Sequence, residues 1–234
     1  MQKPLISVLI ACYNEEKTIS RVIESHLEVL KDNAFTSNWD IHVLNDGSTD
    51  NSNEQIDKWT KIDSRIKLIS NLTPSGIFQA QNLLYKSTNA DWCYFTSGDG
   101  QYPASILKEM LSVVTSDDLI VVSKRINKIQ IYNLQRIIIS YLYRGFCWIL
   151  SGLDAIDPGS TKLVSKKLLN QEFYCNYLAK DAEIVIKAKK SNRNVKIINC
   201  QFGNRDFGKS SAIKTKVLVK TFVDLLKLIK YRFN

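Results

Sequence analysis

Three short polar segments carry the residues of this chain that are best suited to chemistry. They are Tyr13-Asn14-Glu15, Asn45-Asp46-Gly47-Ser48-Thr49-Asp50 and Ser97-Gly98-Asp99-Gly100-Gln101. None contains the Gly-x-Gly-x-x-Gly pattern that brings backbone amides onto a pyrophosphate, so a dinucleotide-binding loop is not expected. Carboxylates in such segments can instead hold a divalent cation that neutralises a diphosphate. They can also accept hydrogen bonds from a base or a ribose.

Each segment follows a predicted β-strand, and this order predicts where the segments meet. Apolar runs predict strands at 5–11, 40–44, 66–70 and 92–96, and helical spacing predicts helices at 15–30, 52–62 and 75–87. Alternating strands and helices imply a mainly parallel sheet covered on both faces. Ligands bind such sheets beyond the carboxyl ends of the strands, so the three segments should converge on one site.

The second half of the chain is less regular. Helices are predicted at 103–114, 133–150, 181–190 and 211–232, strands at 119–123 and 195–200, and a turn with a short strand at 157–165. Residues 137–153 are the most apolar stretch, but Arg144 interrupts it, and no stretch reaches the ~20 apolar residues of a membrane span. We expect this segment to be a buried or interfacial helix.

Composition narrows the class of protein. The chain has 234 residues, 44% of them hydrophobic and 24% charged, which is typical of a globular protein with a substantial core. Its five cysteines form no Cys-x-x-Cys pair, and there are only two histidines, so neither a zinc site nor a disulfide framework is expected. Cysteines that form no disulfide and bind no metal, together with the lack of a signal peptide, favour a cytoplasmic location.

The net charge of +9 is concentrated near the end of the chain. From Arg205 onward there are eight basic and two acidic residues, a net charge of +6, which points to an anionic partner. On a helix over 211–232, one side carries Lys216, Lys220, Lys227 and Lys230, and the other side is apolar. Peripheral contact with an anionic membrane and packing on its own domain or on a partner subunit remain open, whereas nucleic acid is disfavoured.

Six motifs, taken in this order and spacing, resemble the inverting family 2 glycosyltransferases of GT-A fold, especially the dolichyl- or polyprenyl-phosphate mannose or glucose synthase branch. They are the strand ending in Tyr13-Asn14-Glu15, the turn 45–50, Ser97-Gly98-Asp99-Gly100-Gln101-Tyr102-Pro103, Arg136 with Ser140, Asp157-Pro158-Gly159-Ser160-Thr161-Lys162, and Arg205-Asp206-Phe207-Gly208-Lys209-Ser210. The resemblance implies an α/β fold, a three-layer α/β/α sandwich with a mainly parallel mixed sheet. It implies one domain over 1–210, with a nucleotide-sugar half (1–103) and an acceptor half (104–210), followed by a basic amphipathic helix at 211–234.

The resemblance also implies how the donor is bound. Tyr13, Glu15 and Asp46 would shape and read the base pocket, while Ser97 and Asp99 would lie beside the donor diphosphate. Asp99 and Gln101 would hold Mg²⁺ or Mn²⁺. Asn45 and Ser97 stand where the family usually has aspartate, and a neutral serine should lower the affinity for a hard cation.

The acceptor decides whether a base is needed. A lipid phosphate is already an anionic nucleophile at neutral pH, whereas a sugar hydroxyl needs a general base. By the resemblance, Asp181 would be that base, with Asp99 the other catalytic residue. The phosphate-binding residues would be Arg125, Arg136, Ser140, Arg205 and Ser210.

We therefore expect an enzyme that moves a sugar from a UDP- or GDP-sugar to a lipid-linked or glycan acceptor, in an oligomeric state left open. The alternative is a catalytically weakened relative that binds a nucleotide or a partner, with Ser97 and Asn45 as signs of decay. A sugar-phosphate nucleotidyltransferase is disfavoured, because it usually needs a glycine-rich basic loop after the first strand. Asp46 as a turn residue, Asp99 as a helix cap, and Asp181 with Glu183 as an acidic first helical turn are the structural alternatives.

Overall fold

The computed structural model describes residues 3–32, 35–127, 134–151, 157, 159–191, 195–203, 220–221 and 223–228, without the side chains at 135, 136, 150 and 151. Its centre is a seven-stranded sheet in the order β3-β2-β1-β4-β6-β5-β7. The strands are β1 (Leu5–Cys12), β2 (Asn38–Asp46), β3 (Ile66–Asn71), β4 (Trp92–Ser97), β5 (Ile120–Arg125), β6 (Lys162–Ser165) and β7 (Val195–Cys200). Only β6 runs antiparallel to its neighbours, so the sheet is mixed and mainly parallel, as expected.

The helices agree closely with the periodicity of the sequence. They are α1 (Ile19–Lys31), α2 (Ser52–Ile62), α3 (Ile77–Lys86), α4 (Ser105–Val113), α5 (Leu134–Ser151), α6 (Lys166–Leu169) and α7 (Leu178–Lys190). The first helix begins four residues later than predicted, because residues 15–18 form a turn in which the Glu15 carbonyl accepts the N–H groups of Thr18 and Ile19. α7 begins three residues earlier than predicted, and the short α6 was not predicted.

Two apolar layers cover the sheet, one on each face. Along β1, Val8 and Ile10 pack in the same cluster as α1 and α4, whereas Leu9 and Ala11 pack in the same cluster as α3 and α7. This alternation is the period-two pattern of a strand buried on both sides. The result is the expected three-layer α/β/α sandwich.

A third, smaller cluster joins α5, α7 and the terminal segment. It contains Cys147 of α5, Ala182 and Ile186 of α7, and Leu225 and Leu228 of the terminal segment. The described part of that segment is helical at 220–221 and 223–228. It packs on its own domain, and the rest of the predicted helix at 211–234 lies outside the described residues. None of the helices in the described ranges is both long and apolar enough to cross a membrane.

The register of the sheet places the three polar segments side by side. Cys12 pairs with Asn45 across β1 and β2, and Ala11 pairs with Ser97 across β1 and β4. All three strands are parallel, so the segments that follow them leave the same edge of the sheet at the same level. The predicted convergence is confirmed.

Asp46, the last residue of β2, ties that edge to the start of α3. Its carboxylate accepts the backbone N–H groups of Ser75 and Gly76 at 2.9 and 2.8 Å, the Ser75 hydroxyl at 2.7 Å and the Asn71 amide at 2.7 Å. Burial alone would raise the pKa of Asp46, but the hydrogen bonds from Ser75, Asn71 and Gly76 outweigh it and hold the pKa below its usual value. Asp46 is therefore an ionised anchor for the segment that leads into α3.

Gly47 lets this segment come close. Its φ is +73°, and a Cβ placed there would lie 2.8 Å from both the Pro74 nitrogen and the Thr73 carbonyl carbon. Both contacts are with backbone, which cannot rotate away as a side chain can. Only glycine fits both the backbone conformation and the space.

We expect Gly47→Ala to destabilise the fold more than Gly100→Ala. Gly100 has a nearly identical φ of +71°, but its added Cβ would meet only the end of the Arg21 side chain, at 3.3 Å. Both changes cost about 1–2 kcal/mol of backbone strain, and Gly47→Ala adds about 1–3 kcal/mol for the steric clash. Urea denaturation of the two variants measures the difference, and equal losses would show that the approach of residues 73–74 is not tight.

We expect Asp46→Asn to lower the free energy of unfolding at neutral pH by about 2–3 kcal/mol, because an amide cannot accept from all the donors that face it. The folded pKa of Asp46 is depressed, so its stabilising contribution is complete above the ordinary value of 3.8 and is lost as the pH falls through the lower folded value. The difference in the free energy of unfolding between wild type and variant should therefore shrink as the pH falls below 3.8. Urea denaturation of both proteins at neutral pH and at about pH 3 measures this difference.

Asp57→Asn is the matched control, since Asp57 is a half-exposed aspartate on α2 that is paired with Lys61. It should change stability little at either pH. A pH-independent loss for Asp46→Asn would contradict the assignment of Asp46 as an ionised anchor.

Candidate active site

A cavity of about 740 Å³ opens at the carboxyl ends of β1, β2 and β4. Its lining includes predicted residues from both halves of the chain, namely Tyr13, Glu15, Asp46, Ser97, Asp99, Gln101, Arg125 and Asp181. Residues of α3 and of the turn before β6 complete the wall, among them Ser75, Gly76, Gln81, Ser160, Thr161 and Lys162. The volume is in the range of small-molecule and cofactor sites.

The first two polar segments are joined by hydrogen bonds across the mouth of the cavity. Asn14 has a φ of +56°, and its side-chain oxygen accepts the Thr49 N–H at 2.8 Å. The backbone N–H groups of Asn14 and Glu15 donate to the Ser48 and Ser52 hydroxyls at 3.0 and 2.9 Å. Tyr13, 47% exposed, is left at the rim with its ring available to a planar ligand.

Asn45, the first departure from the family pattern, has a structural role. Its side-chain oxygen accepts the Ser48 N–H at 3.0 Å, and its amide nitrogen donates to Asn53 at 2.9 Å. Both bonds turn it toward the 45–50 loop and α2. An amide can accept and donate at once, so this substitution preserves the loop without a second buried carboxylate.

Asp99 is the carboxylate of the third segment and is only 3% exposed. One of its oxygens accepts the Gln101 N–H at 3.1 Å, and its own N–H lies 3.5 Å from the Ser97 hydroxyl. The Gln101 amide donates to the Gly203 carbonyl at 3.1 Å, and the Gly203 N–H returns a bond of 2.8 Å to the Gln101 carbonyl. Gln101 therefore links the third segment to the chain that follows β7.

These residues fit a particular kind of metal site. Within the described ranges, no group of three or more His, Cys, Asp or Glu side chains is placed to enclose a metal ion. One carboxylate, one hydroxyl and one amide do fit Mg²⁺ or Mn²⁺, because Mg²⁺ often takes only one or two carboxylates from the protein. Water and substrate phosphates then supply the other ligands. Such a site is completed only when the phosphates are present.

Asp181 lies across the cavity on the first turn of α7. Its carboxylate forms an ion pair with Lys162 at 3.0 Å and lies 3.4 Å from the Gln81 amide. Lys162, which is 3% exposed, also donates to the Ser160 carbonyl at 2.7 Å. Two partners on different elements thus fix the orientation of Asp181.

Glu183, two residues after Asp181, belongs to a different network. It is fully buried and accepts the backbone N–H groups of Tyr174 and Cys175 at 3.0 and 2.9 Å. Two residues along a helix are ~200° apart, so the two carboxylates leave α7 in different directions. Glu183 holds the loop before α7, whereas Asp181 lines the cavity.

Arg125 reaches the cavity, but Asp157 already neutralises it. Two of its nitrogens donate to the two Asp157 oxygens at 2.7 and 2.8 Å in a bidentate pair. This pair fixes the plane of the guanidinium beside Gly159, where an added Cβ would lie 3.6 Å from Arg125. Arg125 is therefore an oriented group, with part of its hydrogen-bonding capacity used.

The other predicted phosphate-binding residues are not brought to the cavity by the described structure. Ser140 is half-buried on α5 and is not among the described residues that line the cavity. Arg136 lies on α5, but its side chain is outside the description, as are Arg205 and Ser210 altogether. Their assignment stays a prediction.

Two other ionisable groups at the cavity wall are neutral. Burial raises the pKa of Cys12 to about 12 despite a hydrogen bond with Ser52, so it is a thiol at neutral pH. Burial, assisted by the charge of Asp181, raises the pKa of Tyr85 well above its usual value. Neither group can serve as an anionic nucleophile or metal ligand at neutral pH.

Lys162 and Gln81, the two residues that hold Asp181, are not predicted from the sequence. Lys162 ends one of the quoted motifs, which was a usable signal, but a lysine at the start of a short strand gives no sign that it will be buried. Gln81 lies in the middle of a predicted helix, 100 residues from Asp181. No local pattern marks that contact.

Comparison with known proteins gives a consistent result. The sequence profile described as glycosyl transferase family 2 matches residues 7–169. Over 202 residues the chain is 26% identical to the Escherichia coli UDP-Glc:alpha-D-GlcNAc-diphosphoundecaprenol beta-1,3-glucosyltransferase WfgD, covering 86% of this chain and 76% of the relative. It is 24% identical over 250 residues to the dolichyl-phosphate beta-glucosyltransferase ALG5D of Trichomonas vaginalis, covering 98% and 74%.

Solved structures show the same fold. A crystal structure of glucosyl-3-phosphoglycerate synthase from Mycobacterium tuberculosis, in complex with Mn²⁺, UDP and phosphoglyceric acid, superposes with a TM-score of 0.66 at 18% identity. It covers 98% of this chain and 78% of the other. Another crystal of that protein holds Mg²⁺ and UDP. The expected GT-A architecture is thus confirmed, and the profile spans well over half of the chain, so this protein is a glycosyltransferase that belongs to glycosyl transferase family 2.

Proposed function

We propose that this chain transfers a sugar from a UDP- or GDP-sugar to a lipid-linked or glycan acceptor, with inversion at the anomeric carbon. The observation that carries the proposal is the convergence of Tyr13, Asp46, Asp99 and Asp181 on one cavity of about 740 Å³. These residues come from four separate parts of the chain. A fold that kept only a structural role would not need to bring them together.

The donor occupies the end of the cavity formed by the first three polar segments. In this proposal, Tyr13, Glu15 and Asp46 surround the base, while Ser97 and Asp99 lie beside the diphosphate. Asp99 and Gln101 would hold Mg²⁺ or Mn²⁺, and the metal would supply positive charge against the departing nucleoside diphosphate. The Mn²⁺ and Mg²⁺ in crystals of the mycobacterial synthase support the choice of metal.

The acceptor enters from the side of α7. If the acceptor is a sugar hydroxyl, Asp181 accepts its proton while the oxygen attacks the anomeric carbon from the face opposite the leaving group. Lys162 and Gln81 hold the carboxylate in place during this step. If the acceptor is a lipid phosphate, the phosphate attacks directly and needs no base.

The relatives support a lipid-linked acceptor. One is named for transfer to a diphosphoundecaprenol-linked sugar and the other for transfer to dolichyl phosphate. Phosphates near Arg125 would meet a guanidinium whose plane is already fixed. We assign Arg136, Ser140, Arg205 and Ser210 to the same group of phosphate contacts.

We expect the purified protein to hydrolyse its preferred nucleotide-sugar slowly when Mn²⁺ is present, and Asp99→Asn to reduce this rate by about 10²-fold or more, as losses of transition-state charge stabilisation do. Release of UDP or GDP from a panel of nucleotide-sugars measures the rate. Nucleotide binding without turnover or metal dependence would support the alternative of a catalytically weakened relative.

Ser97→Asp is the complementary variant. It restores a second carboxylate and should tighten Mn²⁺ binding, which can be followed by the electron paramagnetic resonance of free Mn²⁺ with nucleoside diphosphate present. Unchanged affinity would show that Ser97 does not face the metal. Ser112→Asp, on the exposed side of α4, controls for the added charge.

Asp181→Asn separates the two classes of acceptor. With a hydroxyl acceptor we expect transfer to fall by about 10²–10⁴-fold, the usual contribution of a general base, while donor binding stays near wild type. With a phosphate acceptor we expect little change in transfer. Parallel assays with radiolabelled donor and the two acceptor classes decide between them, and loss of donor binding in the variant would show that Asp181 is not on the acceptor side.

A further inference from the structure

Among the described residues, α5 carries more exposed large apolar side chains than any other helix or strand. Six large side chains lie on this helix and are each 51% to 72% exposed: Leu134, Ile138, Tyr141, Leu142, Trp148 and Ile149. At 100° per residue they fall within an arc of about 120°. We call this set of six residues the α5 stripe.

The opposite face of α5 is already used in packing. Cys147 is buried in the third cluster, with Tyr143 and Phe146 packed against it. α5 is therefore apolar on both of its faces, a pattern that is typical of a helix buried on both faces. Contiguous apolar surface of this kind marks an interaction site.

We propose that the α5 stripe docks on the surface of an anionic membrane. This inference rests on the proposed function, because a lipid-linked acceptor is presented at a membrane. The arguments for lipid as the occupant are the charge of the helix, its aromatic residues and its position beside the cavity.

The charge of α5 favours lipid over a second copy of the chain. Arg144 borders the α5 stripe, and α5 contains no acidic residue. A two-fold contact brings the same surface of both copies together, so it would place Arg144 near its own copy with no carboxylate on α5 to pair with it. Anionic headgroups supply the missing negative charge.

The side chains of the α5 stripe also suit the boundary between lipid and water. Tyr141 and Trp148 have a polar tip on an apolar ring, a composition enriched at membrane interfaces. Arg144 lies beside the stripe with its guanidinium 5.5 Å from the centre of the Tyr141 ring. From there it can reach headgroups while its stem lies along the apolar surface.

Position links this surface to the reaction. The Tyr143 hydroxyl donates to the Leu178 carbonyl at 2.7 Å, and Leu178 lines the cavity. Leu178 begins α7, and Asp181 lies one turn further along α7. The α5 stripe lies on the other side of α5 from Tyr143, so a membrane against it would lie one helix diameter, ~10 Å, from the acceptor side of the cavity.

Vesicle binding by the full chain tests the proposal. We expect cosedimentation with vesicles that contain phosphatidylglycerol, weaker binding to pure phosphatidylcholine, and a blue shift of tryptophan fluorescence that Trp148→Phe removes. Leu142→Glu and Ile149→Glu should each lower the partition coefficient by about tenfold or more, since each removes one buried side chain from the lipid contact. Both residues are exposed, so the variants should fold.

Ile62→Glu is the matched control. Ile62 is 70% exposed at the end of α2, a helix that packs on the other face of the sheet. This variant should bind vesicles as wild type does. Equal binding by wild type and Leu142→Glu, or no binding by wild type, overturns the proposal.

Two further measurements separate the other outcomes. A wild-type dimer in light scattering that Leu142→Glu dissociates, without vesicle binding, would make a second copy the occupant and overturn the proposal. Donor hydrolysis without vesicles does not involve the α5 stripe and should be unchanged in Leu142→Glu. Vesicle binding with no donor turnover would therefore count against the proposed function and leave the docking surface standing.

Discussion

The carboxylate of Asp46 is the contact on which the donor side of the cavity depends. It lies at the end of β2, 29 residues before Ser75, and it gathers the N–H groups of Ser75 and Gly76, the Ser75 hydroxyl and the Asn71 amide. Gly47 allows the backbone of Thr73 and Pro74 to approach. These hydrogen bonds to Asp46 hold the start of α3, which forms one wall of the cavity, in position against the sheet.

This arrangement has a consequence for ligand binding. A carboxylate has about four acceptor positions, and four donors already face Asp46. A nucleotide base that donates to Asp46 therefore shares the carboxylate with the 71–76 segment or displaces one of its donors. If the donor binds as proposed, its contact with Asp46 is coupled to the start of α3, and α3 also carries Gln81, which contacts Asp181.

The charges of the cavity follow a simple division. On the acceptor side the two cations among the described lining residues are paired, Arg125 with Asp157 and Lys162 with Asp181. On the donor side Asp99 has a neutral serine, Ser97, where the family pattern has a second carboxylate. A metal held by one carboxylate depends on the diphosphate for its other anionic ligands, so metal and donor must favour each other's binding.

The parts predicted from sequence are those whose signal is local. The end of β1, the bounds of α2 and the three polar segments follow from apolar runs and from turn residues between them. The short strand β6 lies within the predicted strand region at 157–165, but its antiparallel direction has no such signal. Neither do contacts that join distant parts of the chain, such as Asp46 with Ser75 or Asp181 with Lys162. The different roles of Asp181 and Glu183 depend on the direction in which each side chain leaves α7. Their spacing of two residues in the sequence does not show which of them faces the cavity.

The long apolar segment shows how structure resolves an ambiguity of sequence. From composition, residues 137–153 could form either a buried helix or an interfacial one. In the structure both descriptions apply to opposite faces of α5, because Cys147 is buried while Leu142 is 70% exposed. The buried face fixes α5 to α7, which carries Asp181 at the cavity. The exposed face and the candidate base are therefore linked through one packed pair of helices, with the α5 stripe on the side of α5 that faces away from α7.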